Sequence, residues 1–148
     1  MKPLTAAKLA EFRALFPLRE GVQPRFDELV FEIHELRDPA TIQPILALAS
    51  DDCPLSGLIN SMLESLEAFP PEIFVPEFLA ALPSFAQTSP NKCLEQLKSL
   101  LWSPAWLAVL TNSIASASPA QRAALCILLS RIDTEALTET SATLIRLL

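Results

Sequence analysis

SPAWLAVLTNSIASASP, residues 103–119, decides the fold, because it is one helix bounded by two identical starts. Ser103-Pro104 and Ser118-Pro119 each place a side-chain acceptor before a proline at the first helical position. There the missing N–H costs nothing and the fixed φ favours the first turn. Asp38-Pro39 and Ser89-Pro90 repeat the device. Working outward, Pro39, Pro54, Pro70, Pro90, Pro104 and Pro119 fall 15, 16, 20, 14 and 15 residues apart. The chain is therefore a series of short helices restarted about every fifteen residues, a pattern of helical-repeat architectures.

Composition agrees. The chain has 148 residues, enough for one domain with a sizeable core, and 51% of them are apolar. Two glycines and no tyrosine favour helix over sheet, since helices need no left-handed hairpin corners. No apolar run approaches the roughly 18 residues of a membrane span, and Met1-Lys2-Pro3-Leu4 opens no export signal. Cys53, Cys93 and Cys126 are widely spaced and odd in number, which predicts small buried thiols in a reducing cytoplasm.

The spacing predicts helices over about 5–16, 25–36, 38–49, 55–69, 73–82, 90–101, 104–116, 119–132 and 134–148. Leu9, Phe12 and Phe16 form the first inward stripe, and Phe26, Leu29, Val30 and Ile33 the second. Leu55, Leu58, Ile59, Met62, Leu63 and Leu66 face inward on the fourth. Pro44 is expected to kink the third helix or to shift its regular start later, and Pro76 and Pro83 to interrupt and close the fifth. The starts at Pro54, Pro90 and Pro119 lie 36 and 29 residues apart, within the range of helix-pair repeats. A proline in the first helix of a pair, an Asp-rich turn and an apolar second helix resemble degenerate HEAT repeats, although no Val-Arg pair follows Asp51-Asp52. The expected fold class is all-α, a single domain of eight to nine short helices stacked as irregular HEAT-like pairs over 1–148.

The net charge of −6 is unevenly spread. Residues 1–88 hold 6 basic and 13 acidic side chains, whereas residues 89–148 hold 5 and 4. Between Asp27 and Glu77 there are 11 carboxylates and one Arg37. Such a field repels nucleic acid and anionic lipid and attracts a basic partner. Solvated helix faces that keep an apolar chain soluble explain the same residues equally simply. The expected partner-binding residues are Glu28, Glu32 and Glu35, at i, i+4, i+7 on one face of the second helix, with Asp51, Asp52, Glu64 and Glu67. Asn60, Glu64 and Glu67 fall opposite Met62 and Leu66, and a stacked array is expected to gather the carboxylates in one patch.

Signals of chemistry are sparse. His34 is the only histidine, and no Gly-x-Ser-x-Gly elbow or phosphate-cradling glycine loop occurs. The cysteines stand alone, without zinc spacing, and no Asp-x-Asp-x-Asp-Gly loop surrounds Asp51-Asp52, which read as a turn cap. Trp102 and Trp106 read as core packing between neighbouring helices, with interface anchoring as the alternative. No catalytic, metal or cofactor residues are assigned.

The stretch from Glu35 to Asp52, ELRDPATIQPILALASDD, followed by LINSMLESLEAF at 58–69, resembles small all-helical bacterial immunity proteins. The family is immunity protein family 30 of polymorphic toxin systems. The likeness lies in a Leu-x-Asp-Pro helix start, an Asp-rich turn and an acidic helix closing on Phe, and it covers roughly residues 25–132. The resemblance implies a cytoplasmic, non-enzymatic protein that binds and blocks one cognate toxin domain, often a basic nuclease. Two other readings stay open: a HEAT-like adaptor without a toxin partner, and a small enzyme with dispersed catalytic residues.

Overall fold

A computed structural model describes the whole chain, Met1–Leu148, as nine α-helices with no strand. The helices are α1 (Pro3–Ala14), α2 (Gln23–Glu35), α3 (Ile42–Leu46), α4 (Ser56–Leu66), α5 (Pro71–Thr88), α6 (Pro90–Trp102), α7 (Pro104–Ile114), α8 (Pro119–Ser130) and α9 (Glu135–Ile145). A 3₁₀ turn, Pro39–Thr41, precedes α3. Proline starts five of the nine: α1, α5, α6, α7 and α8.

The central element is the longest helix. α5 packs against α3, α6, α7 and α8, while α1 pairs with α2, α6 with α7, and α8 with α9. Helix pairing is thus present, but a shared hub replaces the purely neighbour-to-neighbour contacts of a linear solenoid. A single core of 33 buried apolar residues runs from Leu9 and Phe12 in α1 to Leu137 and Leu144 in α9.

The fifth helix corrects the sequence expectation. It does not close at Pro83; it runs from Pro71 to Thr88 through both Pro76 and Pro83. An interior proline costs about 3 kcal/mol. Phe74, Val75, Phe78, Leu79, Leu82 and Phe85 are all buried along this helix. At the low end of about 1.5 kcal/mol each, their burial contributes about 9 kcal/mol, which outweighs two prolines at about 6. Phe74 stacks on Phe78 and meets Trp106 edge-on, with ring centroids 5.2 Å apart in the second pair. Trp106 is core packing, as expected, whereas Trp102 is 59% exposed.

The third predicted helix divides. Asp38 accepts from the Ala40 N–H and starts only a 3₁₀ turn, and the regular helix begins at Ile42. Pro44 falls in the first turn of that regular stretch, where it breaks no bond that a short helix needs.

The serine starts are less uniform than the sequence. Ser118 forms a full capping box: its Oγ accepts from the Gln121 N–H while Gln121 Oε1 accepts from the Ser118 N–H. Ser103 makes no capping bond. Ser89 is buried and its hydroxyl instead donates to the Ala49 carbonyl at 2.6 Å. The α6 amides turn elsewhere, and their acceptor is one of the expected binding carboxylates.

Candidate functional site

Asp51 is that acceptor. Its two oxygens accept from the Asn91 and Lys92 N–H groups, both at 2.9 Å. The turn between α3 and α4 therefore caps a helix 40 residues away, at its positive end. Asp51 is a structural clamp, with its lone pairs turned inward. Cys93, buried one turn inside the same helix, has its thiol pushed up to about 12 by burial and secondarily by Asp51.

On α2 the carboxylates meet cations that the sequence interval did not show. Glu28 pairs with Arg25 at 2.9 Å, and Glu32 with Lys8 of α1 at 3.0 Å. Arg25 also bonds Glu11 of α1. The Glu32 hydrogen bond raises Lys8, the Glu28 and Glu11 bonds raise Arg25, and Arg25 in turn lowers Glu11. This cluster stitches α1 to α2 and pairs Glu28 and Glu32, two of the three carboxylates predicted on this face. Glu35 is exposed and makes no ion pair.

Asp52 stands at the edge of a different feature. It lines a cavity of about 470 Å³ with Phe16, Leu18, Leu48, Cys53 and Ile59, between the α1–α2 loop and the α3–α4 turn. Its carboxylate has no side-chain partner.

Glu64 and Glu67 do come together. They line one open groove of about 150 Å³ between α4 and α6, with Asn60 beside them and Glu95, Gln96 and Ser99 opposite. Glu67 accepts from Gln96 Nε2 at 2.9 Å and from Ser99 Oγ at 2.6 Å. Lys92 is buried in the groove wall, where its ammonium donates to Asn60 Oδ1 at 2.7 Å and to Glu95 Oε2 at 3.2 Å. Three carboxylates line the groove, and the Lys92 ammonium behind its wall pairs with one of them, Glu95, leaving Glu64 and Glu67 without an ion pair.

The seven predicted residues thus occupy separate environments rather than one cavity. Sequence reasoning missed Glu95 because it stands in the near-neutral half, where charge balance over sixty residues hides a local carboxylate. The available signal was its spacing from Lys92 and Ser99 on one face of α6.

His34 lies in a further cavity with Arg37, Ala68, Phe69, Pro70 and Ile73, and neither a carboxylate nor a hydroxyl lines it. No group of three or more His, Cys, Asp or Glu side chains converges in a way that could hold a metal ion. No helix is long and apolar enough to cross a membrane. No protein-family model, curated protein or solved structure matches this chain.

Proposed function

We propose that the chain is a non-enzymatic binding protein that holds a basic protein partner through the carboxylate-lined groove between α4 and α6. The partner, in this reading, is a bacterial toxin domain, which the chain neutralises in the cytoplasm. The observation that carries the proposal is the groove itself: Glu64, Glu67 and Glu95 on two facing helices, of which only Glu95 has an ion-pair partner, Lys92. The surrounding charge supports it, since residues 1–88 hold 13 carboxylates against 6 basic side chains. The resemblance of residues 35–69 to immunity proteins supplies the toxin.

The groove is suited to a cationic side chain by its chemistry. Glu64 accepts no hydrogen bond from the protein, and Glu67 accepts only from neutral donors, Gln96 and Ser99. A partner's lysine or arginine gains charge-assisted hydrogen bonds there. Long-range attraction then speeds encounter, with rates reaching on the order of 10⁸–10⁹ M⁻¹s⁻¹ at low salt.

The test has two parts. Co-expression with toxin domains encoded beside its gene is expected to restore growth; no rescue sinks the toxin assignment, and capture of unrelated housekeeping proteins instead favours an adaptor. With a rescued toxin domain in hand, stopped-flow association is compared between variants. Glu64→Lys with Glu95→Lys is expected to slow association by about tenfold or more at low salt and to flatten its salt dependence. Glu28→Gln with Glu32→Gln, whose carboxylates are already paired, is expected to change it far less. Equal rates in the wild type and the groove variant would falsify the surface assignment.

A further inference from the structure

The cavity that holds His34 and Arg37 is chemically opposite to its surroundings. It opens between the end of α2 and the start of α5, has a volume of about 230 Å³, and is walled by Ala68, Phe69, Pro70 and Ile73. From Asp27 to Glu77 the chain has 11 carboxylates and a single Arg or Lys, which is Arg37; the only histidine of the whole chain is His34. The fold brings these two groups to one apolar cavity, and none of the 11 carboxylates lines it. Arg37 forms no ion pair, whereas Lys8, Arg25, Lys92 and Lys98 each have a carboxylate within 4.0 Å. Complementarity to the negative end of α2 explains a cation near residue 37. The guanidinium is exposed and stands at the mouth of the apolar cavity, in the most acidic stretch of the chain.

Arg37 also sits at φ 44, in the left-handed region that glycine or asparagine ordinarily fills at a helix end.

We propose that this cavity binds a small apolar carboxylic acid. The hydrocarbon body lies against Phe69, Pro70 and Ile73. The carboxylate takes the planar fork of Arg37, which matches it with two parallel N–H···O bonds, and a ring N–H of His34 is the second donor. The size fits an aryl acid: a cavity of roughly 150 Å³ holds benzene, so 230 Å³ leaves room for the acid group beyond the ring. This site is separate from the α4–α6 groove, and neither proposal depends on the other.

Phenylacetate is the probe, titrated into the isotope-labelled full chain and followed by amide and side-chain NMR shifts. Saturable shifts centred on His34, Arg37 and Ile73 are expected. 2-Phenylethanol, which keeps the ring and lacks the charge, and acetate, which keeps the charge and lacks the ring, are each expected to bind about tenfold or more weakly. Arg37→Gly removes the guanidinium and suits the left-handed backbone, so it is expected to fold at least as stably as the wild type and to bind about tenfold or more weakly. Shifts centred elsewhere, equal binding of 2-phenylethanol, or full affinity in folded Arg37→Gly each overturn the proposal.

Discussion

The acidic face of α2 and the groove between α4 and α6 look alike as sequence, yet the fold treats them oppositely. On α2, Glu28 and Glu32 meet Arg25 and Lys8 and become part of the stitching between α1 and α2. In the groove, Glu64 stays unbonded, Glu67 bonds only neutral donors, and Glu95 shares the single buried Lys92. The lesson is that a surface is defined by the cations the fold brings to it. Carboxylates counted along the chain measure a field; their partners across the packing determine which of them remain available.

The comparison breaks most severely if the frame beneath both regions is removed. Phe78 is fully buried in α5, and Phe78→Ala is expected to cost about 3–5 kcal/mol in urea unfolding, loosening the α2 cluster and the groove together. Retained stability in that variant would show that α5 is not the hub. A smaller effect separates the two adjacent aspartates. Asp51→Ala leaves two α6 amides without their acceptor and is expected to cost about 1–2 kcal/mol, whereas Asp52→Ala is expected to stay within about 0.5 kcal/mol. Equal losses would contradict the clamp.

Within the groove, Glu67→Ala strands the amide of Gln96, which is 4% exposed, and is expected to cost about 1 kcal/mol, while Glu64→Ala is expected to be neutral. Thermal melts of the two variants decide this directly. The pH profile gives a gentler contrast. Asp38 is held below its usual range, first by the Lys2 N–H, with the Ala40 N–H contributing. A lowered carboxylate contributes stability that is present above its unfolded value of about 3.9 and is lost as pH falls through its folded value. Acid unfolding below about pH 4 is therefore expected to be shallower in Asp38→Asn than in the wild type; an unchanged slope would remove Asp38 from the account. The smallest effect is electrostatic. Arg25→Gln is expected to lower the melting temperature slightly at low salt and not at all near 1 M salt, because the α1–α2 pairs lie at the exposed surface. A deficit that persists in high salt would mean that Arg25 acts through packing.

Much of the fold was legible because it is local. The Ser118 capping box, the proline starts of α6, α7 and α8, and the Phe26, Leu29, Ile33 stripe all lie within a few residues of the structure they direct. α5 was misread for the converse reason. Pro76 and Pro83 are local signals to stop, but six buried side chains on four packing partners outweigh them, and that burial is settled only when the neighbours arrive. The groove was half legible: Asn60, Glu64 and Glu67 share a helix face by periodicity, while Glu95, Gln96 and Ser99 come from a helix some thirty residues on.

By itself the sequence determined that the chain is all-helical, where most helices start, which stripes turn inward, and that the first half carries the negative charge. These follow from backbone propensity and from a period of 3.6 residues, both of which act within one or two turns. Only the tertiary structure decided that Asp51 caps α6 across 40 residues, that Lys8 of α1 pairs with Glu32 of α2, that Glu64 and Glu67 face Glu95, and that His34 and Arg37 share an apolar cavity with Phe69 and Ile73. Hydrogen bonds and ion pairs act over about 3–4 Å, so they depend on which helices pack together and not on distance along the chain.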